Sequence, residues 1–126
     1  MRKVIVAEDD VYLREAYVTI LKASGYDVRG AENGKQALEA IEQSKPDVLL
    51  IDMLMPVMGG LEALAVLENK ALLGQMKVIA FTNLSDKATL DQLEAFGVDK
   101  YLLKSSVTPK ELVANIEEVM SKVAAS

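Results

Sequence analysis

Five polar groups in this 126-residue chain stand where short apolar runs end, and their types suggest shared chemistry. Glu8-Asp9-Asp10 follow Val4–Ala7, Asp52 follows Val48–Ile51, Thr82-Asn83 follow Val78–Phe81, and Lys104-Ser105 follow Tyr101–Leu103. A weaker run, Asp27–Ala31, is followed by Glu32 and Asn33. Gathered carboxylates repel and cannot all stay ionised without compensation. One lysine does not neutralise Glu8, Asp9 and Asp52; a divalent cation would. The chain has no Cys and no His, which removes thiolate and imidazole ligands and the usual general base. An oxygen-only donor set with few carboxylates suits Mg2+, which keeps several waters and accepts a phosphate oxygen as a further ligand. Three acids, a hydroxyl and a lysine thus form a candidate site for Mg2+ and a phosphoryl group. Asp10, directly before a helical pattern, reads as that helix's N-cap instead.

These residues can meet only if the elements carrying them lie side by side. The runs are rich in Val and Ile and nearly continuous, as in strands buried on both faces of a parallel sheet. Helical spacing separates them: Leu13, Ala16, Tyr17, Ile20 and Leu21; Ala37, Leu38 and Ile41; Leu61, Leu64, Ala65 and Leu67; Leu90, Leu93 and Phe96. A last helix opens with Thr108 as cap, Pro109 at its first position and Glu111 completing a capping box, and carries Leu112, Ile116, Val119 and Val123 as its stripe. Gly25 and Gly97 fall where helices should end. Met53, Met55 and Met58 read as core filler, and Pro56 with Gly59-Gly60 as a turn. Strict β-α alternation predicts a doubly wound α/β fold, flavodoxin-like, with a five-stranded parallel sheet in the order 2-1-3-4-5. In that order the first and third strands are neighbours, so Glu8 or Asp9 would stand beside Asp52. Such sheets bind ligands beyond the carboxyl ends of their strands.

The totals narrow the function. The length suits one domain over residues 1–126, with no room after the last helix for an output domain. A net charge of −5 and no basic stripe argue against direct nucleic-acid binding. No stretch reads as a signal peptide or a membrane span, so the expectation is a cytoplasmic protein, a monomer or weak dimer.

With "VIVAEDD", "LLIDMLMPVMGG", "VIAFTN" and "YLLKSS" in place, essentially the whole chain resembles a response-regulator receiver domain of two-component signalling. The resemblance implies that Asp52 is the phosphorylated aspartate, that Glu8 and Asp9 are the acidic pair, and that the backbone carbonyl of Leu54 is a further Mg2+ ligand. It implies Thr82 as the switch hydroxyl, Tyr101 as the switch aromatic and Lys104 as the lysine of the site. The implied donor is a sensor histidine kinase or a histidine phosphotransfer protein. The implied output is a downstream protein partner on the face made by the fourth helix, fifth strand and fifth helix. The chain would catalyse its own phosphorylation without being an enzyme in the ordinary sense.

Four positions depart from the family pattern. Ser105 stands where Pro is common, so no cis bond is expected. Asn83 is larger than the usual small residue. Leu54 and Leu84 are apolar and cannot orient an attacking water, which implies slow self-dephosphorylation. Competing readings are a receiver-like scaffold that never carries phosphate, a small aspartyl-phosphate phosphohydrolase and an FMN-binding flavodoxin. The complete set of site residues argues against the first. The absence of a water-activating acid argues against the second, and the acids after the first strand, which would repel a phosphate, argue against the third.

Overall fold

The computed structural model describes residues 2–82, 87–104 and 106–125, with backbone alone for 122–125. Five strands alternate with five helices: β1 Lys3–Ala7, α1 Val11–Ala23, β2 Asp27–Ala31, α2 Gly34–Ser44, β3 Val48–Asp52, α3 Gly60–Asn69, β4 Lys77–Thr82, α4 Lys87–Ala95, β5 Lys100–Leu103 and α5 Pro109–Ala125. A short 3₁₀ turn at Leu73–Gln75 precedes β4. All strands are parallel and the order is β2-β1-β3-β4-β5, as the alternation of elements predicts.

Side chains on a strand alternate between faces, and each face of this sheet has its own core. Ile5, Ala7, Leu49, Ile51, Val78 and Ala80 pack against α2, α3 and α4 through Ala37, Ile41, Leu64, Leu67 and Leu93. Val4, Val6, Val48, Leu50, Ile79 and Phe81 pack against α1 and α5 through Tyr17, Leu21, Leu112, Ile116 and Val119. The central strands β1 and β3 are buried almost throughout, and each aliphatic side chain so buried contributes about 1.5–3 kcal/mol. β5, an edge strand, leaves Tyr101 and Leu103 exposed.

Local signals set the helix ends. Asp10 caps α1, its Oδ1 accepting from the backbone N–H of Tyr12 at 2.9 Å and of Leu13 at 3.1 Å. Gly25, with φ 96°, ends that helix: its N–H donates to Lys22 and that of Tyr26 to Leu21, a Schellman arrangement. Gly97, with φ 78°, repeats the pattern after α4. Thr108 accepts from the Glu111 N–H at 3.2 Å and donates its hydroxyl to the Glu111 carboxylate at 3.0 Å. Two helix stripes differ from the spacing-based expectation. Ala16 and Ala65 are exposed, while Val18 and Ala63 face the core. Alanine loses little on either face of a helix, so its position alone does not orient a stripe.

Candidate functional site

The site forms where β1, β3, β4 and β5 end together. Strand parity decides which residues reach it. Glu8 continues the side of Val4 and Val6, Asp52 that of Val48 and Leu50, and Lys104 that of Leu102, so all three rise above the core shared with α1 and α5. Pairing extends past the strand ends and holds them in register. The Glu8 N–H donates to Ala31 at 3.0 Å, the Met53 N–H to Phe81 at 3.1 Å and the Lys104 N–H to Thr82 at 3.1 Å.

Lys104 bridges the two buried acids. Its Nζ stands 2.7 Å from Glu8 Oε1 and 2.7 Å from Asp52 Oδ2. Glu8 is 1% exposed and Asp52 3%. Asp9 is exposed at the rim, and carboxylate oxygens of Glu8, Asp9 and Asp52 lie within 4.8 Å of one another. The second Asp52 oxygen accepts a long hydrogen bond, 3.4 Å, from the N–H of Leu54. Burial pushes the Glu8 carboxyl up to about 7; the hydrogen bond from Lys104 pulls it back and the neighbouring Asp52 adds to the rise. Burial by itself would lower the Lys104 ammonium, but its hydrogen bonds to Asp52 and Glu8 outweigh that and hold it above the usual lysine range.

The donor set fits Mg2+. It is all oxygen, one carboxylate oxygen from each of Glu8, Asp9 and Asp52 converges on the same spot, and the three acids carry more negative charge than Lys104 can balance.

The loop after β3 is shaped by close backbone approaches. Gly60 packs so tightly that a Cβ there would lie 2.5 Å from the Asp52 carbonyl oxygen. The N–H of Gly34 donates to Met58 at 2.8 Å, and Met58 donates to Pro56 at 2.7 Å around Val57, whose φ is 67°. Leu54 is 62% exposed on this loop.

Glu8, Asp9, Asp52, Leu54, Thr82 and Lys104 lie at this end of the sheet. Thr82 is buried at the end of β4. It shares the α4 side of the sheet with Tyr101, which pairs in register with Ala80, two residues before Thr82. Glu32 and Asn33 stay apart from the acids: Glu32 is exposed, and Asn33 caps α2 by accepting from Gln36 at 2.9 Å. Asn83, Leu84 and Ser105 lie outside the described residues.

Two contributors escape sequence reasoning. Arg14 donates through Nη1 to the backbone carbonyl of Glu8 at 2.7 Å, and its stem lies over Gly30, where a Cβ would stand 3.2 Å from Arg14 Cδ. A glycine inside a strand is the one signal for such a close approach. Tyr17 lies under the site with its ring stacked on Phe81, centroids 5.4 Å apart and planes 7° from parallel.

Comparison with known proteins agrees with this fold. A protein-glutamate methylesterase/protein-glutamine glutaminase of Halobacterium salinarum is 33% identical over 124 residues, which are 98% of this chain and 36% of that protein. The chain spans between about a third and about a half of the length of the curated relatives it matches first. A DNA-binding response regulator of the LuxR family from Staphylococcus aureus superposes with a TM-score of 0.84 at 35% identity, covering 94% of this chain and 98% of that one. A CheY-like receiver domain protein from Methanospirillum hungatei superposes at 0.88 with 25% identity, covering 97% and 95%. The response regulator receiver domain matches residues 4–117, so the chain belongs to that family and to phosphorylation-dependent signalling.

Proposed function

We propose that Asp52 is the phospho-acceptor of this receiver domain and that Lys104, Thr82 and the acids Glu8 and Asp9 serve its phosphorylation. The supporting observation is the Lys104 ammonium held 2.7 Å from both Asp52 and Glu8 at the open end of the sheet. An ionised carboxylate is already a nucleophile and needs no base, so a chain without histidine can do this chemistry. One Asp52 oxygen bonds to phosphorus as the bond to the donor's leaving group breaks, leaving an acyl phosphate on Asp52. Lys104 holds the carboxylate in place and offers positive charge to the transferring oxygens. Mg2+ would be held by Glu8, Asp9, Asp52 and the Leu54 carbonyl, and when bound it supplies charge neutralisation at the phosphoryl oxygens.

The donor is a histidine kinase or a histidine phosphotransfer protein, which fits a cytoplasmic setting. Among the described residues no helix is long and apolar enough to cross a membrane. The readout runs from Thr82 to Tyr101 and so to the face of α4, β5 and α5, where a protein partner docks. Intact mass after treatment with a small phosphodonor and Mg2+ tests this. One added phosphoryl group on the wild type and none on Asp52→Asn is the expected result. Equal uptake by both, or uptake by neither, refutes it.

A further inference from the structure

The phenol of Tyr17 has no part in the chemistry above, yet its position relative to Glu8 calls for one. Tyr17 is among the largest fully buried side chains, at 1% exposure. Its ring lies flat on Phe81, and Phe81 is the register partner of Asp52. The stack is therefore the floor of the site, on the same side of the sheet as Glu8, Asp52 and Lys104. Among the described residues two buried side-chain polar atoms have no hydrogen-bond partner, the Tyr17 hydroxyl and Oε2 of Glu8. One is a donor and the other an acceptor. Both oxygens of Asp52 and the Oε1 of Glu8 are already engaged. Burial and, next, the Glu8 carboxylate disfavour ionisation of the phenol. Phenylalanine would fill the same space and keep the same stack, so the buried hydroxyl needs a reason.

We propose that Tyr17 is a positioning residue for cation binding: its hydroxyl donates across one internal water to the inward Oε2 of Glu8. The contact holds the carboxylate turned so that Oε1 faces Lys104 and the acid cluster. Partners behind metal-binding carboxylates orient them in this way, and their loss typically weakens metal binding. The proposal rests on the reading of Glu8, Asp9 and Asp52 as a Mg2+ site.

Titration with MgCl2 by calorimetry tests it on wild type, Tyr17→Phe, Glu8→Ala and the double variant. Tyr17→Phe is expected to bind Mg2+ roughly ten-fold more weakly, and to have no further effect in the Glu8→Ala background. Affinity within about two-fold of wild type, or an equal loss in the Glu8→Ala background, overturns the proposal, the latter because the ring would be acting through packing. If wild type itself takes up no Mg2+, the site reading fails first and this proposal with it. The unmutated protein gives a second readout. NMR should show a Tyr17 hydroxyl proton protected from exchange and close to the Glu8 side chain; a freely exchanging hydroxyl overturns the proposal even if Tyr17→Phe does not fold.

Discussion

The ammonium of Lys104 and the carboxylate of Asp52 meet at 2.7 Å across 52 residues of chain, and the same nitrogen holds Glu8. A Mg2+ held by Glu8 and Asp52 would share these carboxylates with Lys104. Replacing it with methionine should act in two opposite directions. Phosphoryl uptake should slow by roughly 10²–10³-fold, the usual cost of losing a fixed charge at the reacting oxygens. Mg2+ should bind more tightly, because a competing positive charge is gone. Uptake rates by intact mass and affinities by calorimetry check both halves.

Glu8 makes stability depend on pH. Its carboxyl is raised from 4.5 to about 7, first by burial, against the pull of Lys104 and with the push of Asp52. Without Mg2+ the folded state keeps this proton where the unfolded chain has released it. The contribution is full below the unfolded value of 4.5 and is lost as pH rises towards about 7. Mg2+ needs the deprotonated carboxylate, so its affinity should rise over the same interval and binding should release protons. Thermal melts on either side of this interval, with and without Mg2+, read the effect. Glu8→Gln should flatten the dependence.

Val57 sits at φ 67° inside a three-residue turn closed by the Met58 N–H and the Pro56 carbonyl. A β-branched residue is a clear outlier in that region, at a cost on the order of 1–3 kcal/mol. Asparagine tolerates it. Val57→Asn should stabilise the fold by about 1 kcal/mol, visible as a higher urea midpoint at unchanged slope.

Gly34 has the opposite problem. Its N–H bonds the Met58 carbonyl at 2.8 Å, and a Cβ would stand 2.7 Å from the same oxygen. The obstacle is backbone, so Gly34→Ala should cost about 1–3 kcal/mol and displace the loop that carries Leu54. Urea unfolding gives the first quantity and the Mg2+ affinity reports the second.

Phosphorylation replaces one carboxylate charge with about −2 of phosphate. In the proposed function the Thr82 hydroxyl, at the end of β4, is a donor for the added oxygens. Tyr101, on the same side of the sheet and 42% exposed, can move inward if Thr82 moves. Such a response is a shift between two packings and needs a few kcal/mol of preference for one. Thr82→Ala should accept phosphate yet respond weakly, and wild type with a phosphoryl mimic should shift NMR signals through residues 87–121. Shifts confined to the surroundings of Asp52 would exclude the relay.

The features readable from the chain alone are those governed by near neighbours. Runs such as Val48–Ile51 declare buried parallel strands, because only a strand covered on both faces tolerates four consecutive branched side chains. Asp10, Gly25 and Thr108 mark helix ends, since capping involves residues only a few positions apart. The β-α alternation then leads to the 2-1-3-4-5 order and places Glu8, Asp9 and Asp52 at one edge. What no local pattern encodes is how distant side chains meet. That Lys104 bridges Glu8 and Asp52, that Arg14 grips the Glu8 carbonyl over Gly30, and that Tyr17 is a platform under the acids all depend on register and on the distance between layers. In the sequence Tyr17 is one more apolar position of α1; only packing against Phe81 leaves its hydroxyl buried without a hydrogen-bond partner, because burial and pairing are properties of the assembled sheet.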